Sequence, residues 1–250
     1  MVIGLQSKVK VGEWHRTGIS CKYNLLHYLC TMSIINTPAF HQITAQLNVK
    51  KCRLVAVSKT KPIQAVQALY DLGQRDFGEN YVQELIEKQV ALPNDIRWHF
   101  IGHLQTNKVK QIASFVHLIH GVDSEKLLDE INKQAAKCNR IIAVLLQVHI
   151  ATEETKFGLD AEEVHCLVSK RSNYPNVQIC GLMGMASNTA DNEQIKNEFD
   201  SLYKVYQNTN QQFSDQPFHI LSMGMSSDYQ MAIEEGSSMV RVGSSVFGER

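Results

Sequence analysis

The chain alternates short apolar runs with amphipathic segments from residue 52 onward. Eight of the runs predict strands, at residues 52–59, 75–80, 97–102, 115–122, 141–150, 177–185, 218–223 and 239–247. Several runs are apolar at almost every position, as in residues 141–146 (IIAVLL). Such runs are typical of parallel strands that are buried on both faces, although a short buried helix segment shares the pattern.

Seven helical patterns lie between the predicted strands. The first begins at Pro62, which suits a first helical position, and its apolar stripe stops at Gly73. Asp160 and Glu163 have the spacing of a capping box at the start of another. Eight strands alternating with seven helices predict a single TIM-type (β/α)8 barrel, with a doubly wound open sheet as the alternative. A helix at residues 39–48 is expected to cover the gap that follows strand eight.

Residues 1–31 differ from the rest because they show no sustained hydrophobic period. We therefore divide the chain into an irregular extension at 1–31 and a barrel domain at 32–250. One hypothesis is that Met32 is the native start. The alternative is a loosely held N-terminal arm.

Charge and cysteine usage exclude several classes of protein. The 25 Lys and Arg residues balance the 25 Asp and Glu residues, so neither broad nucleic-acid binding nor a polybasic membrane anchor is expected. No run of 18 apolar residues predicts a membrane-spanning helix. The six cysteines are dispersed and contain no C-x-x-C pair, which is typical of a reduced cytoplasmic protein.

The end of the first strand carries the sharpest chemical signal. Active sites of such barrels collect at the C-terminal ends of the strands, and Lys59 directly follows the run LVAVS. A desolvated lysine loses its proton more readily and can form an imine with an aldehyde. The competing interpretation is a solvated turn lysine, which we apply to Lys61 nearby.

The ends of strands seven and eight are rich in glycine and serine. Gly243, Ser244 and Ser245 offer backbone N–H groups and hydroxyls that suit a phosphate, although, taken alone, this pattern favours tight strand-to-helix turns. Arg241 shares the face of Gly243 on an extended strand. Pyridoxal phosphate supplies both an aldehyde and a phosphate, and a charged arginine beside its ring nitrogen would oppose protonation there.

Five stretches in unbroken order carry a family resemblance. They are LVAVSKTKP (54–62), FGENYVQE (77–84), WHFIGHLQTNK (98–108), GLMGM (181–185) and SMGMSSDYQMAIEEGSSMVRVGSSVFG (222–248). Together they resemble the pyridoxal phosphate homeostasis protein family over about residues 50–248. The resemblance implies a fold-type III barrel that binds pyridoxal 5′-phosphate. This barrel is similar to the N-terminal domain of alanine racemase, and we expect it to lack that enzyme's C-terminal β-domain.

The resemblance also implies the residues that contact the cofactor. Lys59 matches the lysine that holds it, and Asn80 and His99 match positions near the ring or the imine. The remaining matches lie at the ring-nitrogen and phosphate sides of the cofactor: Arg241, Gly243 and Ser244 on strand eight, and Ser222, Met223, Gly224 and Ser226 on the strand-seven loop.

Three functions are compatible with these residues. The first is a cytoplasmic protein of pyridoxal phosphate homeostasis that holds the cofactor on Lys59 without dedicated turnover. Its expected partners are the cofactor and pyridoxal-phosphate-dependent apoenzymes as acceptors, and we expect a monomer. The second is an amino-acid racemase, disfavoured because the sequence stops after strand eight and supplies no second acid/base from a further domain. The third is a cofactor-independent Schiff-base aldolase, which leaves Arg241 unexplained.

Other titratable residues receive structural interpretations. We interpret Glu79 and Glu84 as salt-bridge or capping partners rather than an acid/base pair. No histidine spacing predicts a metal site, so none is expected.

Overall fold

A computed structural model describes residues 34–152 and 157–248 of the chain. The extension at 1–31 and both hypotheses about Met32 lie outside the described residues. Eight parallel strands form one closed barrel, in which each strand pairs with the next and the last pairs with the first. The strands are β1 (Arg53–Val57), β2 (Asp76–Glu79), β3 (Arg97–Phe100), β4 (Leu118–Val122), β5 (Ile142–Gln147), β6 (Val177–Met183), β7 (Ile220–Ser222) and β8 (Met239–Val242). The TIM-type barrel is confirmed, and the open sheet is excluded.

Helices separate the strands and surround the barrel. They are α1 (Thr37–Val49), α2 (Ile63–Asp71), α3 (Val82–Ala91), α4 (Val109–Ile112), α5 (Glu125–Lys137), α6 (Ala161–Ser169), α7 (Asn192–Gln212), α8 (Tyr229–Glu234) and α9 (Ser244–Phe247). Short 3-10 turns at Thr106–Lys108 and Arg171–Asn173 complete the set. Within the part of the chain described, no helix is both long enough and apolar enough to cross a membrane.

Local sequence signals predict the ends of α2 and the start of α6 closely. The capping box at Asp160 and Glu163 is present, with both of its hydrogen bonds formed. Gly73 follows α2 with a φ of 98°, a left-handed conformation that glycine adopts without strain. Pro62 precedes α2 instead of starting it, one residue from the predicted position.

The predicted strand at 239–247 was wrong in its second half. β8 ends at Val242, and residues Ser244–Phe247 form α9. The backbone N–H groups of Val246 and Phe247 donate to the Gly243 carbonyl, which turns the chain into a helix. α1 packs against α9 and β1, and the Asn36 N–H donates to the Val246 carbonyl at 2.7 Å. The helix before strand one therefore covers the gap, as predicted.

Alternation along the strands separates the core from the barrel interior. On β8, Val240 and Val242 belong to the large apolar cluster between barrel and helices, whereas Met239 belongs to a smaller cluster of strand residues. Successive side chains of a strand point to opposite faces, so Arg241 shares the inward face of Met239. A charged residue therefore lies inside the barrel, at the end where β8 terminates.

Candidate functional site

A cavity of about 480 Å³ opens at the C-terminal ends of the strands. Its volume lies in the range of small-molecule sites. Six of the ten predicted cofactor contacts line it: Lys59, Asn80, Ser226, Arg241, Gly243 and Ser244. They come from the ends of β1, β2, β7 and β8, so the barrel brings together residues that are up to 185 positions apart in the chain. Closure of β8 against β1 makes this possible, because the two ends of the barrel sequence become neighbours.

Lys59 lies half-buried in the turn after β1, and both of its neighbours are anchored. The Ser58 hydroxyl donates to Glu79 Oε1 at 2.6 Å. The Thr60 N–H donates to Glu84 Oε1 at 2.6 Å, and Thr60 has a left-handed φ of 62°. These contacts fix the backbone on each side of the lysine, so its side chain leaves a rigid turn toward the cavity.

The two glutamates are joined by a buried lysine. Lys88 Nζ contacts both Glu79 Oε1 and Glu84 Oε1 at 2.7 Å, and it donates to the Ser58 carbonyl at 2.6 Å. Their interpretation as salt-bridge partners is confirmed. Burial raises the pKa of Glu79 to about 7, although Lys88 and Ser58 oppose the shift. Glu84 neutralises Lys88 as well, so the charge of Glu79 is not required to balance it.

Arg241 is the buried cation of the site and is only 4% exposed. Its Nη1 donates to the Ser222 carbonyl at 2.8 Å and to the Ser222 hydroxyl at 2.6 Å, and its Nη2 donates to the Gly184 carbonyl at 2.9 Å. Burial lowers the pKa of Arg241 to about 10, with Asp228 opposing the shift. The guanidinium therefore remains charged at neutral pH.

Glycines allow the loops after β7 and β8 to approach each other. The Gly243 N–H donates to the Ser226 hydroxyl at 3.1 Å, which joins the two loops. Gly224 has a φ of 96°, and a Cβ there would lie 2.6 Å from the Cβ of Ala232. The glycine and serine pattern seen in the sequence thus forms one wall of the cavity.

Three predicted residues lie behind this wall and do not line it. Ser222 and Met223 are fully buried, and the Ser222 hydroxyl binds Arg241. The Gly224 carbonyl accepts a hydrogen bond from the Arg241 N–H at 3.0 Å. These residues hold the backbone and the arginine in place, which is a supporting role that a motif match cannot distinguish from direct contact.

His99 is not brought to the cavity. Its side chain is fully buried inside the barrel, where Nδ1 lies 2.9 Å from His120 Nε2 and Nε2 lies 2.9 Å from Asp76 Oδ1. Both ring nitrogens are engaged, so the expected position beside the ring or imine is replaced by one in an internal network. The sequence predicted no functional role for His120 or for Asp76.

Asp76, His99 and His117 also form a close group at the N-terminal end of the barrel, away from the cavity. Their potential ligand atoms lie within 4.8 Å of one another, a proximity that the sequence spacing did not predict. However, both carboxylate oxygens of Asp76 already accept hydrogen bonds from Arg97.

Asn80 contributes an unsatisfied polar atom to the site. Its Oδ1 is buried and accepts no hydrogen bond from the residues that the structure describes. Buried polar atoms are normally satisfied. A ligand in the cavity that carries a donor would supply the missing partner.

Comparisons with known proteins agree with this geometry. The family described as "Alanine racemase, N-terminal domain" matches residues 39–250. A protein of Aquifex aeolicus named "Pyridoxal phosphate homeostasis protein" is 41% identical over 199 residues, covering 79% of this chain and 87% of its own length. A human protein of the same name is 41% identical over 210 residues, covering 79% of this chain and 76% of its own.

A solved structure is similar over nearly its whole length. PipY of Synechococcus elongatus PCC7942, described as having pyridoxal phosphate bound, superimposes with a TM-score of 0.77 at 34% identity. The match covers 84% of this chain and 99% of PipY. With a family match over most of the barrel and relatives above 40% identity, this chain belongs to the pyridoxal phosphate homeostasis protein family, whose barrel is that of the alanine racemase N-terminal domain.

Proposed function

We propose that this protein binds pyridoxal 5′-phosphate in the cavity and acts in cytoplasmic homeostasis of that cofactor. It holds the cofactor as an imine on Lys59, without dedicated turnover of a substrate, and releases it to pyridoxal-phosphate-dependent apoenzymes. One observation carries the proposal. Lys59, Arg241 and the two loops that the Gly243–Ser226 hydrogen bond connects all meet at one cavity. The homologous pyridoxal phosphate homeostasis proteins and the structure of PipY with pyridoxal phosphate bound support it.

The residues present fit the chemical groups of the cofactor. The Lys59 amine suits the aldehyde, with which it condenses to an imine and one water molecule. Ser226 and Ser244 line the cavity, and hydroxyl groups suit the phosphate. Asn80 Oδ1 offers an acceptor that still needs a donor. When bound, the cofactor supplies an electrophilic carbonyl group and, through its ring, an electron sink.

Arg241 favours storage over catalysis. Because its pKa of about 10 keeps it charged at neutral pH, an arginine beside the ring nitrogen disfavours a protonated ring. An unprotonated ring is a weaker electron sink. Amino-acid racemisation is the second candidate function, since the family that matches residues 39–250 is described as the N-terminal domain of alanine racemase.

An absorbance spectrum tests the proposal. After addition of the cofactor, the purified protein should show a visible band that disappears on hydride reduction. Peptide mass analysis should then place one reduced adduct on Lys59. Absence of the band at saturating cofactor would overturn the proposal, and an adduct on another lysine would overturn the role of Lys59.

Transfer needs its own measurement. Loaded protein mixed with a pyridoxal-phosphate-dependent apoenzyme should restore that enzyme's activity, while loaded protein alone should not turn over the enzyme's substrate. Failure of the apoenzyme to gain cofactor would contradict the carrier role and leave binding intact.

A further inference from the structure

A line of hydrogen-bonded side chains crosses the barrel interior from the cavity to the opposite end. Arg241 Nη1 donates to Ser222 Oγ, which lies 3.1 Å from His120 Nδ1. His120 Nε2 lies 2.9 Å from His99 Nδ1, and His99 Nε2 lies 2.9 Å from Asp76 Oδ1. All five side chains are buried. We call these five residues the barrel relay.

Asp76 anchors the far end of the barrel relay as a carboxylate. It begins β2 and pairs in register with Arg97, which begins β3. Arg97 Nε and Nη2 donate to the two carboxylate oxygens at 2.7 and 2.5 Å. Burial opposes ionisation, but the hydrogen bonds from Arg97 and His99 outweigh it and lower the pKa of Asp76. At neutral pH this end of the relay therefore only accepts hydrogen bonds.

The carboxylate sets the direction of the neighbouring bonds. Burial lowers the pKa of both His99 and His120, so each ring is neutral and carries one N–H. His99 must donate from Nε2 to Asp76 and accept at Nδ1 from His120 Nε2. His120 must then accept at Nδ1 from the Ser222 hydroxyl. Since the hydroxyl oxygen accepts from Arg241, every bond of the relay points from the arginine toward the carboxylate.

The reverse arrangement conflicts with the geometry. If His99 carried its hydrogen on Nδ1, its bare Nε2 would lie 2.9 Å from a carboxylate oxygen of Asp76. Two acceptors would face each other without a proton between them. The Ser222 hydroxyl would also have to accept from both His120 and Arg241, so its own hydrogen would leave the relay.

We infer that Asp76 positions Arg241 from the opposite end of the barrel, by fixing His99 and His120 as Nε2–H tautomers that keep the Ser222 oxygen directed at the guanidinium. The contacts to Ser222 and Gly184 use three of the five N–H groups of Arg241. Arg241 also lines the cavity, so the orientation of its guanidinium affects what the cavity can bind. Asp76 is thus a positioning residue, and the consequence for the cofactor rests on the proposed function.

Histidine NMR of the cofactor-free protein tests the tautomers directly. With ¹⁵N-labelled histidine near neutral pH, His99 and His120 should both show a protonated Nε2 and an unprotonated Nδ1. A protonated Nδ1 on either residue would overturn the inference. In Asp76→Asn, the amide oxygen is needed by Arg97, so the amide N–H faces His99 and should shift both rings toward the Nδ1–H tautomer.

Cofactor titration tests the consequence at Arg241. Asp76→Asn should raise the Kd for pyridoxal phosphate about tenfold. Arg97→Lys is the matched control, because it removes the two-point guanidinium contact with Asp76 but keeps a cation beside the carboxylate, which stays available to His99. It should retain both tautomers and the wild-type Kd. Equal effects of the two variants, or no effect of Asp76→Asn on tautomers and Kd, would overturn the inference.

Ser222→Ala provides a second test of the barrel relay that remains available if the Asp76→Asn variant does not fold. It should keep both Nε2–H tautomers, since Asp76 remains, yet raise the Kd because Arg241 loses an acceptor. An unchanged Kd would contradict the relay. Failure of the wild-type protein to bind pyridoxal phosphate would instead overturn the proposed function, while the histidine signals of the cofactor-free protein would still decide the relay.

Discussion

Lys61 Nζ donates a hydrogen bond of 2.9 Å to the carbonyl of Gly248, the residue that follows α9. A weaker contact of 3.5 Å reaches the Phe247 carbonyl. Lys59 and Lys61 line the same cavity, so proximity alone does not separate them. The contacts of Lys61 give it a structural role, closing the end of α9 against the turn after β1.

We therefore expect Lys59→Ala to abolish the imine and Lys61→Ala to retain it. Lys61→Ala should lower the free energy of unfolding by about 1 kcal/mol, because it removes one hydrogen bond at the rim. The measurements are the visible band and the mass of the hydride-reduced protein. A reduced adduct that persists in Lys59→Ala would assign the imine to another lysine.

The Arg241→Ala variant should weaken both cofactor binding and the fold. The guanidinium donates three hydrogen bonds to β7 and to the segment after β6, and a bond to a charged group contributes roughly 1.5–3 kcal/mol. The Kd for pyridoxal phosphate should rise at least about tenfold. The free energy of unfolding should fall by roughly 1.5–3 kcal/mol or more, the contribution of one such hydrogen bond. Urea unfolding of the cofactor-free variant measures the second effect separately. An unchanged Kd would show that Arg241 does not face the cofactor.

Two glycine-to-alanine substitutions separate the cost of backbone strain from the cost of close packing behind the glycine- and serine-rich wall of the cavity. Gly73 and Gly224 have φ values of 98° and 96°, but a Cβ at Gly73 meets nothing within 4 Å. Gly73→Ala should therefore cost about 1 kcal/mol from the left-handed backbone alone. Gly224→Ala should cost roughly 1–3 kcal/mol more, because its Cβ would lie 2.6 Å from Ala232.

Urea unfolding measures this difference, and cofactor titration shows whether it reaches the site. Only Gly224→Ala should raise the Kd for pyridoxal phosphate. Equal stability losses in the two variants would mean that α8 moves aside without cost.

The positions of Lys59 and Arg241 could be predicted from the sequence because strand ends are local signals. Parallel strands bring their C-terminal ends to one rim, so residues that follow apolar runs meet there. The interior network could not be predicted in this way. Alternation indicates that His99 points inward, but it does not indicate that His120 and Asp76 meet it across the barrel. Likewise, residues 244–247 (SSVF) have no helical pattern of their own, and the turn at Gly243 together with α1 decides their conformation.

The buried carboxyl of Glu79 should make stability depend on pH. Its pKa is raised from 4.5 to about 7, so between these values the folded protein holds a proton that the unfolded chain has released. The contribution of this group to stability is therefore complete below pH 4.5 and falls as the pH rises through 7. Each pH unit in that window changes it by at most about 1.4 kcal/mol.

Glu79→Gln removes this dependence while keeping the size of the side chain. The unfolding free energy of the wild type minus that of the variant should fall by roughly 2 kcal/mol between pH 5 and pH 8. Glu87→Gln, an exposed change on α3, serves as the matched control for the loss of one carboxylate. A difference that stays constant with pH would place the pKa of Glu79 near its ordinary value.

Loaded protein should show negligible racemisation of alanine or serine. Racemisation passes through a carbanion at the α-carbon, and a protonated ring stabilises that charge best. Arg241 stays charged at neutral pH, since burial brings its pKa only to about 10. At the position that we propose for it beside the ring nitrogen, this charge would disfavour a proton there. Because the charge on the α-carbon then gains less stabilisation from the ring, the barrier to its formation is higher. The measurement is exchange of the α-proton of L-alanine in heavy water, followed by NMR, with Lys59→Ala as the matched control.

Trace exchange that depends on Lys59 agrees with a storage protein, because the amine released from the imine can act as a weak base on one face. Exchange with inversion at roughly 1 s⁻¹ or faster, the range of ordinary enzymes, would instead make racemisation the function of this site.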